Sequence, residues 1–270
     1  MLKKYYSIFI LSSGLLFGQT NDLDKNLILN NPQSIEETNS KAIIRVNLIE
    51  DYIQEYFTKT YYNTNGYITE KEFFNDNSEL AYKEIYTYNS NNKLEKIIGT
   101  NHNQTITTTK TFSYFDGGFK ELIKENDIEI KEITFLTNSI NKIIAEEEVT
   151  LLDNNLSVNK THLYENEKLY QTDIKYGKDG FIIKYKYNDN NLPVEEIMYD
   201  LKNSLLSKKL RKFDEHNNII EENLFDNNGK LKTNNRIKYK YDDKGNWITR
   251  TQYANKFEQP ISNTVRTIKY

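Results

Sequence analysis

The 270-residue chain has no cysteine. That absence excludes a disulfide framework, a thiolate metal site and a cysteine nucleophile. It also excludes anchoring through a lipid-modified cysteine of the bacterial kind. Proline occurs three times, glycine ten times and tryptophan once. GxSxG, P-loop and GxGxxG motifs are all missing. The three histidines, His102, His162 and His216, lie far apart and form no HExxH or HxH pair, so a zinc site has no support. An excess of one charge is lacking too. Lysine and arginine number 36 against 39 acids, interspersed along the chain, for a net charge of −3. No basic patch points to nucleic acid, and no block of like charge forms a tail.

Long apolar runs are confined to the start of the chain. Lys3 and Lys4 precede a run from Tyr5 to Phe17, which at about 13 residues is too short to cross a bilayer comfortably. The pattern is that of a secretory signal peptide over residues 1–18, cleaved near Gly18–Gln19. An uncleaved anchor or a buried strand is the alternative. Removing these residues takes away two lysines and no acid, leaving a more acidic mature chain. No membrane span is expected after signal removal. Residues 19–40 are polar around one apolar knot, Leu27-Ile28-Leu29, and read as a flexible spacer. Residues 41–270 then form a single β domain. Its first twenty residues are ambiguous: Ile49, Tyr52, Ile53 and Tyr56 fit a helical stripe, while Tyr52, Tyr56, Thr58, Thr60 and Tyr62 fit strand alternation. Strand is favoured from about Asp51, with a short helix as the alternative.

What the chain has in abundance is aromatic and turn-forming residues. It carries 21 tyrosines and 13 phenylalanines, which favour strands. Asparagine clusters with Asp and Gly, which is turn chemistry. In "YKYDDKGNWITRTQY" (239–253), Ile237, Tyr239 and Tyr241 alternate before Asp-Asp-Lys-Gly, and Trp247, Thr249, Thr251 and Tyr253 alternate after it. That is a β-hairpin. The same unit, an aromatic followed by an Asn/Asp/Gly cluster and then an apolar restart, recurs as "YYNTNGYI", "FFNDNSEL", "YNSNNKLEKI", "YFDGGFKEL", "YGKDGFII", "YNDNNLPVEEI", "YDLKNSLL", "FDEHNNII" and "FDNNGKLK", with "FLTNSINKI" from Phe135 and "YENEKLY" from Tyr164 as weaker copies. Between Tyr164 and Phe225 the copies stand 12, 11, 12, 14 and 12 residues apart, one strand plus one turn each. The expected fold is all-β: an antiparallel meander of about a dozen strands. A sheet that wide must curl, so a partial barrel, a shell or a sandwich is predicted. The rings are expected on the concave face, and Lys, Glu and Thr on the wet one.

The repeated unit resembles the YD or RHS repeats of bacteria, carried here by Tyr241-Asp242 with Gly245, Phe225-Asp226 with Gly229, Phe213-Asp214, Tyr199-Asp200 and Phe115-Asp116. The final block looks like the end of small secreted YD-repeat proteins, and the resemblance covers roughly residues 60–270. A second resemblance is to the MORN-like repeats of antitoxin-type proteins, which are richer in glycine. The chain is too short for the closed shell of the large RHS proteins. Neither family implies a catalytic residue.

The oxygen-rich corners, such as Asn188–Asn191, offer calcium-type donors, but turn formation explains them. Glu195-Glu196, Glu221-Glu222 and Glu146–Glu148 supply carboxylates, but sequence neighbours on a strand face opposite ways, which argues against a glycosidase pair. No catalytic residue, cofactor or metal is expected. Tyr239, Tyr241, Trp247 and Tyr253 form a candidate ligand strip, since exposed aromatics stack on sugar rings; packing of Trp247 beneath the last hairpin is the alternative. The functional expectation is an exported, non-enzymatic protein. It is secreted, periplasmic or on the outer surface of a bacterium, and its sheet binds a protein or glycan at the envelope. A carbohydrate-binding module and, more remotely, a glycosidase are the other expectations.

Overall fold

A computed structural model describes residues 28–45, 48–151, 157–255 and 257–270. The expected signal peptide and the first part of the expected spacer lie outside these residues. The strands are β1 (Ser34–Arg45), β2 (Leu48–Tyr62), β3 (Ile68–Phe74), β4 (Leu80–Tyr88), β5 (Leu94–Asn101) and β6 (Thr107–Phe115). There follow β7 (Gly118–Glu125), β8 (Ile128–Thr137), β9 (Ile143–Thr150), β10 (Ser157–Glu165), β11 (Lys168–Tyr176) and β12 (Asp179–Tyr187). The last are β13 (Pro193–Asp200), β14 (Leu205–Phe213), β15 (Ile219–Asp226), β16 (Leu231–Tyr241), β17 (Trp247–Ala254) and β18 (Ser262–Lys269).

Each strand pairs antiparallel with the next, and β18 returns to pair with β1, Ser34 opposite Lys269 and Lys41 opposite Ser262. The meander is therefore a closed 18-stranded barrel, where about a dozen strands and an open or partial enclosure were expected. Closure removes both sheet edges, which is the physical reason a long meander favours it. The spacer expectation is corrected as well, because residues 34–40 form the first half of β1. Residues 48–62 are strand throughout, without the alternative helix.

The corners explain the asparagine content. At Asn63, Asn75, Asn89, Asn138, Asn188, Asp200, Asp214, Asp226 and Asp242 the side-chain oxygen accepts the backbone N–H groups two and four residues ahead. Three residues past each, the chain turns left-handed, at Gly66, Gly229 and Gly245 but also at Ser78, Asn92, Asn141, Asn191, Asn203 and Asn217. Asparagine tolerates that conformation well enough to let the chain use few glycines. Each of these corners also shifts the strand register by one residue, as a β-bulge does.

Tyrosines join one hairpin to the one before it. At the rim where Pro32 and Tyr270 lie, Tyr88 donates to the Ile68 carbonyl, Tyr114 to Leu94, Tyr164 to Ile143 and Tyr187 to Leu169, at 2.7–2.9 Å. Tyr241 and Tyr270 donate to the carboxylates of Asp214 and Asp242. Each sits within one residue of the end of an even-numbered strand and reaches back one hairpin. The structural repeat is therefore two strands, and the aromatic before the corner is there for its hydroxyl as well as its ring.

The inner face is identified by its core. Leu94, Ile97, Phe112, Phe119, Ile133, Phe135 and Ile143 are buried together on β5–β9, with Phe119 and Phe135 stacked at 4.4 Å. Gly99 lies on this face and has to be glycine because the Tyr82 hydroxyl lies where a side chain would go, 1.8 Å from an added Cβ. Elsewhere the inward side chains are mostly half-buried. Pro32 is the one large side chain under 2% exposed among the described residues. A ring of 18 strands encloses more space than its side chains fill, so much of the inner face is wetted.

Candidate functional site

The register places three members of the expected aromatic strip together and separates the fourth. Tyr239, Tyr241 and Trp247 point inward: Tyr241 opposes Trp247, and the Tyr239 ring lies 6.1 Å from Tyr241 and 6.0 Å from Trp247. Tyr253 opposes Arg236 on the outer wall, with Arg236 and Lys238 over its ring. The bulge at the corner is the reason. Ile248 is the extra residue, so the alternation that links Trp247 to Tyr253 in sequence changes phase after Trp247. The inner rings are already in contact with the protein. Arg266 covers Trp247 at 3.3 Å, and His216 stacks on Tyr241 at 4.1 Å.

The inner face also carries charge, contrary to the expectation that Lys and Glu lie only on the wet side. Midway along the strands, Lys110 pairs with Glu121, Lys131 with Glu148, Lys160 with Glu146, Arg266 with Glu37, and Arg211 with both Glu196 and Glu222. Burial pushes the Glu121 carboxyl up, with Lys110 opposing. Glu195 and Glu196, adjacent in sequence, take opposite faces: Glu195 meets Lys186 and Lys208 outside, Glu196 meets Arg211 inside.

Glu146 is the busiest of these carboxylates. His162 Nε2 lies 3.0 Å from one oxygen and Lys160 Nζ 2.6 Å from the other, while His162 Nδ1 is 3.0 Å from the Thr172 hydroxyl. Burial works against its charge, but the hydrogen bonds from His162 and Lys160 prevail and hold the carboxyl below the ordinary 4.5. A depressed carboxylate adds stability that is complete above its unfolded pKa and is lost as pH falls through the folded one. Glu146→Gln is therefore expected to cost about 1–2 kcal/mol at pH 7. It should also flatten the fall in urea midpoint below about pH 4.5, measured by titrating both proteins in parallel. An unchanged acid limb refutes the assignment.

A polar cavity, open to solvent on one side, lies at the seam where the barrel closes. It measures about 330 Å³, and β1, β2, β17 and β18 supply its inner-face side chains. Asn39 stands at its centre, buried: its Oδ1 accepts the hydroxyls of Ser262 and Thr264, and its Nδ2 donates to Glu55 at 2.7 Å. Lys41 pairs with Glu55 at 3.4 Å. Tyr56 donates to Glu37 at 2.9 Å; burial first, and then Glu37, push its hydroxyl well above the ordinary tyrosine value. Arg250 spends one bond on the Gln252 side chain at 3.2 Å. None of these residues stands out in the sequence, because β1 and β18 are brought together across more than two hundred positions. The one local clue is the polar alternation Ser262-Thr264, opposite Asn39, which a single strand does not reveal.

A family model described as "Uncharacterised protein" matches residues 145–266, less than half of the chain. No curated protein matches. Among solved structures the chain is similar to a porin-like protein from Bacteroides uniformis, at 11% identity over 88% of this chain and 96% of that one, with a TM-score of 0.46. A porin-like protein from Bacteroides vulgatus shares 10% identity over 70% and 94%, with a TM-score of 0.44. The TcdB2-TccC3-Cdc42 structure shares 9% identity over 80% of this chain but 14% of that one, with a TM-score of 0.34. No likeness among these three reaches a TM-score of 0.5, and none bears on activity. No helix among the described residues is long and apolar enough to cross a membrane, which says nothing of a barrel.

Proposed function

We propose that the chain is an exported, non-catalytic barrel of the YD-repeat type, which works in water at the cell envelope as a binding or scaffold surface. The outer wall carries the reading. Along the strands, where a membrane barrel has its apolar band, this wall has ion pairs, some near mid-strand, as Lys83–Glu70, and some beside a corner, as Lys212–Glu221. They are Lys59–Glu36 at 3.0 Å, Lys83–Glu70 at 2.7 Å, Lys120–Glu132 at 2.8 Å and Lys212–Glu221 at 2.8 Å. Lys186 and Lys208 flank Glu195 at 2.6 and 2.8 Å. A lysine facing lipid at the bilayer midplane costs about 2–4 kcal/mol. Several spread around the circumference oppose insertion strongly.

Exposed apolar side chains also dot this wall singly, as at Ile85 and Val265, and four lie close together beyond it. β2 pairs with β3 only from Phe57 onward, so β1 and β2 run on past the rim as a two-stranded ribbon. Ile44, Leu48, Tyr52 and Ile53 are exposed on it, which supports a partner contact there. The recurrent aromatic-Asx corner, with its tyrosine reaching back one hairpin, supports the YD resemblance. A carbohydrate-binding role is the second reading, favoured by the hydroxyl- and amide-lined seam cavity.

The test is partitioning. The chain without residues 1–18 is expected to purify without detergent, to stay at the bottom of a flotation gradient with phosphatidylethanolamine–phosphatidylglycerol vesicles, and to give no conductance steps in a planar bilayer. Co-flotation or stepwise conductance overturns the reading.

A further inference from the structure

Three arginines point into the barrel, and the structure treats one of them differently. Arg211 has two carboxylate partners and Arg266 has one. Arg250 has no ion pair among the described residues; its one hydrogen-bond partner is the neutral Gln252 side chain. A guanidinium offers five N–H donors in a planar fork that matches a carboxylate, so most of this capacity is unspent. It faces the seam cavity. Across the same space Lys41 is neutralised by Glu55, which leaves the lining with a net positive charge.

The rest of the lining is uncharged and mostly hydrogen-bonding: the side chains of Asn39, Gln252, Ser262 and Thr264, with the Tyr56 ring and the apolar Ile261. The volume of about 330 Å³ is at the small end of ligand pockets, which start near about 300 Å³. It suits one monosaccharide-sized molecule. Hydroxyls on such a molecule find both donors and acceptors here, and one carboxylate finds Arg250.

We infer that the seam cavity binds a small hydroxylated organic acid of about the size of a hexuronate, with its carboxylate on Arg250. The inference rests on reading the chain as a binding protein, and it is independent of whether the outer wall meets water or lipid. Tyr56 and Gln252 line the opposite sides of the ligand.

Titration calorimetry on the chain without residues 1–18 tests it, with D-glucuronate as the probe. Saturable binding tighter than about 1 mM is expected. D-glucose, which keeps hydroxyls and lacks the acid, and acetate, which keeps only the acid, are each expected to bind at least tenfold more weakly. Arg250→Gln is expected to weaken glucuronate at least tenfold, and Arg250→Lys by less. Lys212→Gln on the outer wall should leave binding unchanged. No saturable heat with glucuronate in the folded wild-type chain overturns the inference, even if Arg250→Gln fails to fold. So does binding that Arg250→Gln leaves intact, or a preference for inorganic phosphate over glucuronate. Failure here with the chain still excluded from vesicles rejects the ligand and leaves the aqueous envelope reading standing; vesicle insertion rejects that reading whatever glucuronate does.

Discussion

Asn246→Ala is expected to lower the unfolding free energy by about 2–4 kcal/mol, because it opens the clasp between the two ends of the chain. Asn246 is 3% exposed at the corner after β16. Its Oδ1 accepts the Leu29 N–H at 2.7 Å, and its Nδ2 donates to the Leu29 carbonyl at 2.9 Å and to the Tyr270 hydroxyl at 2.8 Å. One amide thus satisfies both backbone groups of a residue more than two hundred positions away. Alanine leaves a donor and an acceptor without partners, each costing about 1–3 kcal/mol where water is excluded. Water entering from the rim offsets part of this.

Behind the clasp, Ile28 and Ile35 pack with Tyr62 and Ile268, so the loss reaches the β18–β1 pairing. Asn246→Asp keeps the acceptor but turns the donor into a second acceptor facing a carbonyl, and it should be no better than alanine. Urea unfolding with an unchanged m-value measures the loss, and amide exchange at Leu29 localises it. A variant within about 0.5 kcal/mol of the wild type shows that the clasp does not hold the barrel shut.

Arg211→Met is the second large effect, expected at about 2–4 kcal/mol. The guanidinium bridges three strands, with Nε on Glu222 of β15 at 2.9 Å and Nη2 on Glu196 of β13 at 3.0 Å. Burial works against its charge, but the hydrogen bonds to Glu222 and Glu196 outweigh it and raise its pKa above the ordinary arginine value. Removing it leaves two carboxylates facing each other on the inner wall, with only Lys209 near Glu196 at 3.6 Å. Breaking a fully buried pair costs about 3–5 kcal/mol. The Arg211, Glu196 and Glu222 side chains are 14%, 19% and 29% exposed, so solvent screens some of that.

The sign of the rescue separates the causes. Adding Glu196→Gln and Glu222→Gln to Arg211→Met should recover at least half of the loss, because the stranded charges are then gone. If Arg211→Met alone costs under about 1 kcal/mol, the inner wall here is as wet as a protein surface. If the triple variant recovers nothing, the arginine stem's packing matters more than its charge.

The meander was legible because its corners are written locally. An Asn or Asp that holds two N–H groups, followed by a residue able to turn left-handed, is a property of five consecutive residues. The strand count was not. The hairpin around Asn126-Asp127 turns on two left-handed residues without the aromatic-Asx signature, and the one around Asn166-Glu167, built the same way, left only a weak copy at Tyr164. β1 looks like a polar linker, "SIEETNSKAIIR", because it is recognisable as a strand only beside its two partners. The aromatic strip was misaligned by a single bulge, which conserves composition and spacing but reverses the face of everything beyond it.

By itself, the sequence determined the antiparallel strands, their approximate lengths and the chemistry of their corners, since these depend on interactions within a few residues. Tertiary structure alone decided that the sheet closes on β1, that charges share the inner face with the rings, and that Arg250 faces a polar cavity without a counter-ion among the described residues. The physical reason is distance along the chain. Register across the seam is set by the summed stagger and twist of eighteen strands, and no short window of residues contains that sum.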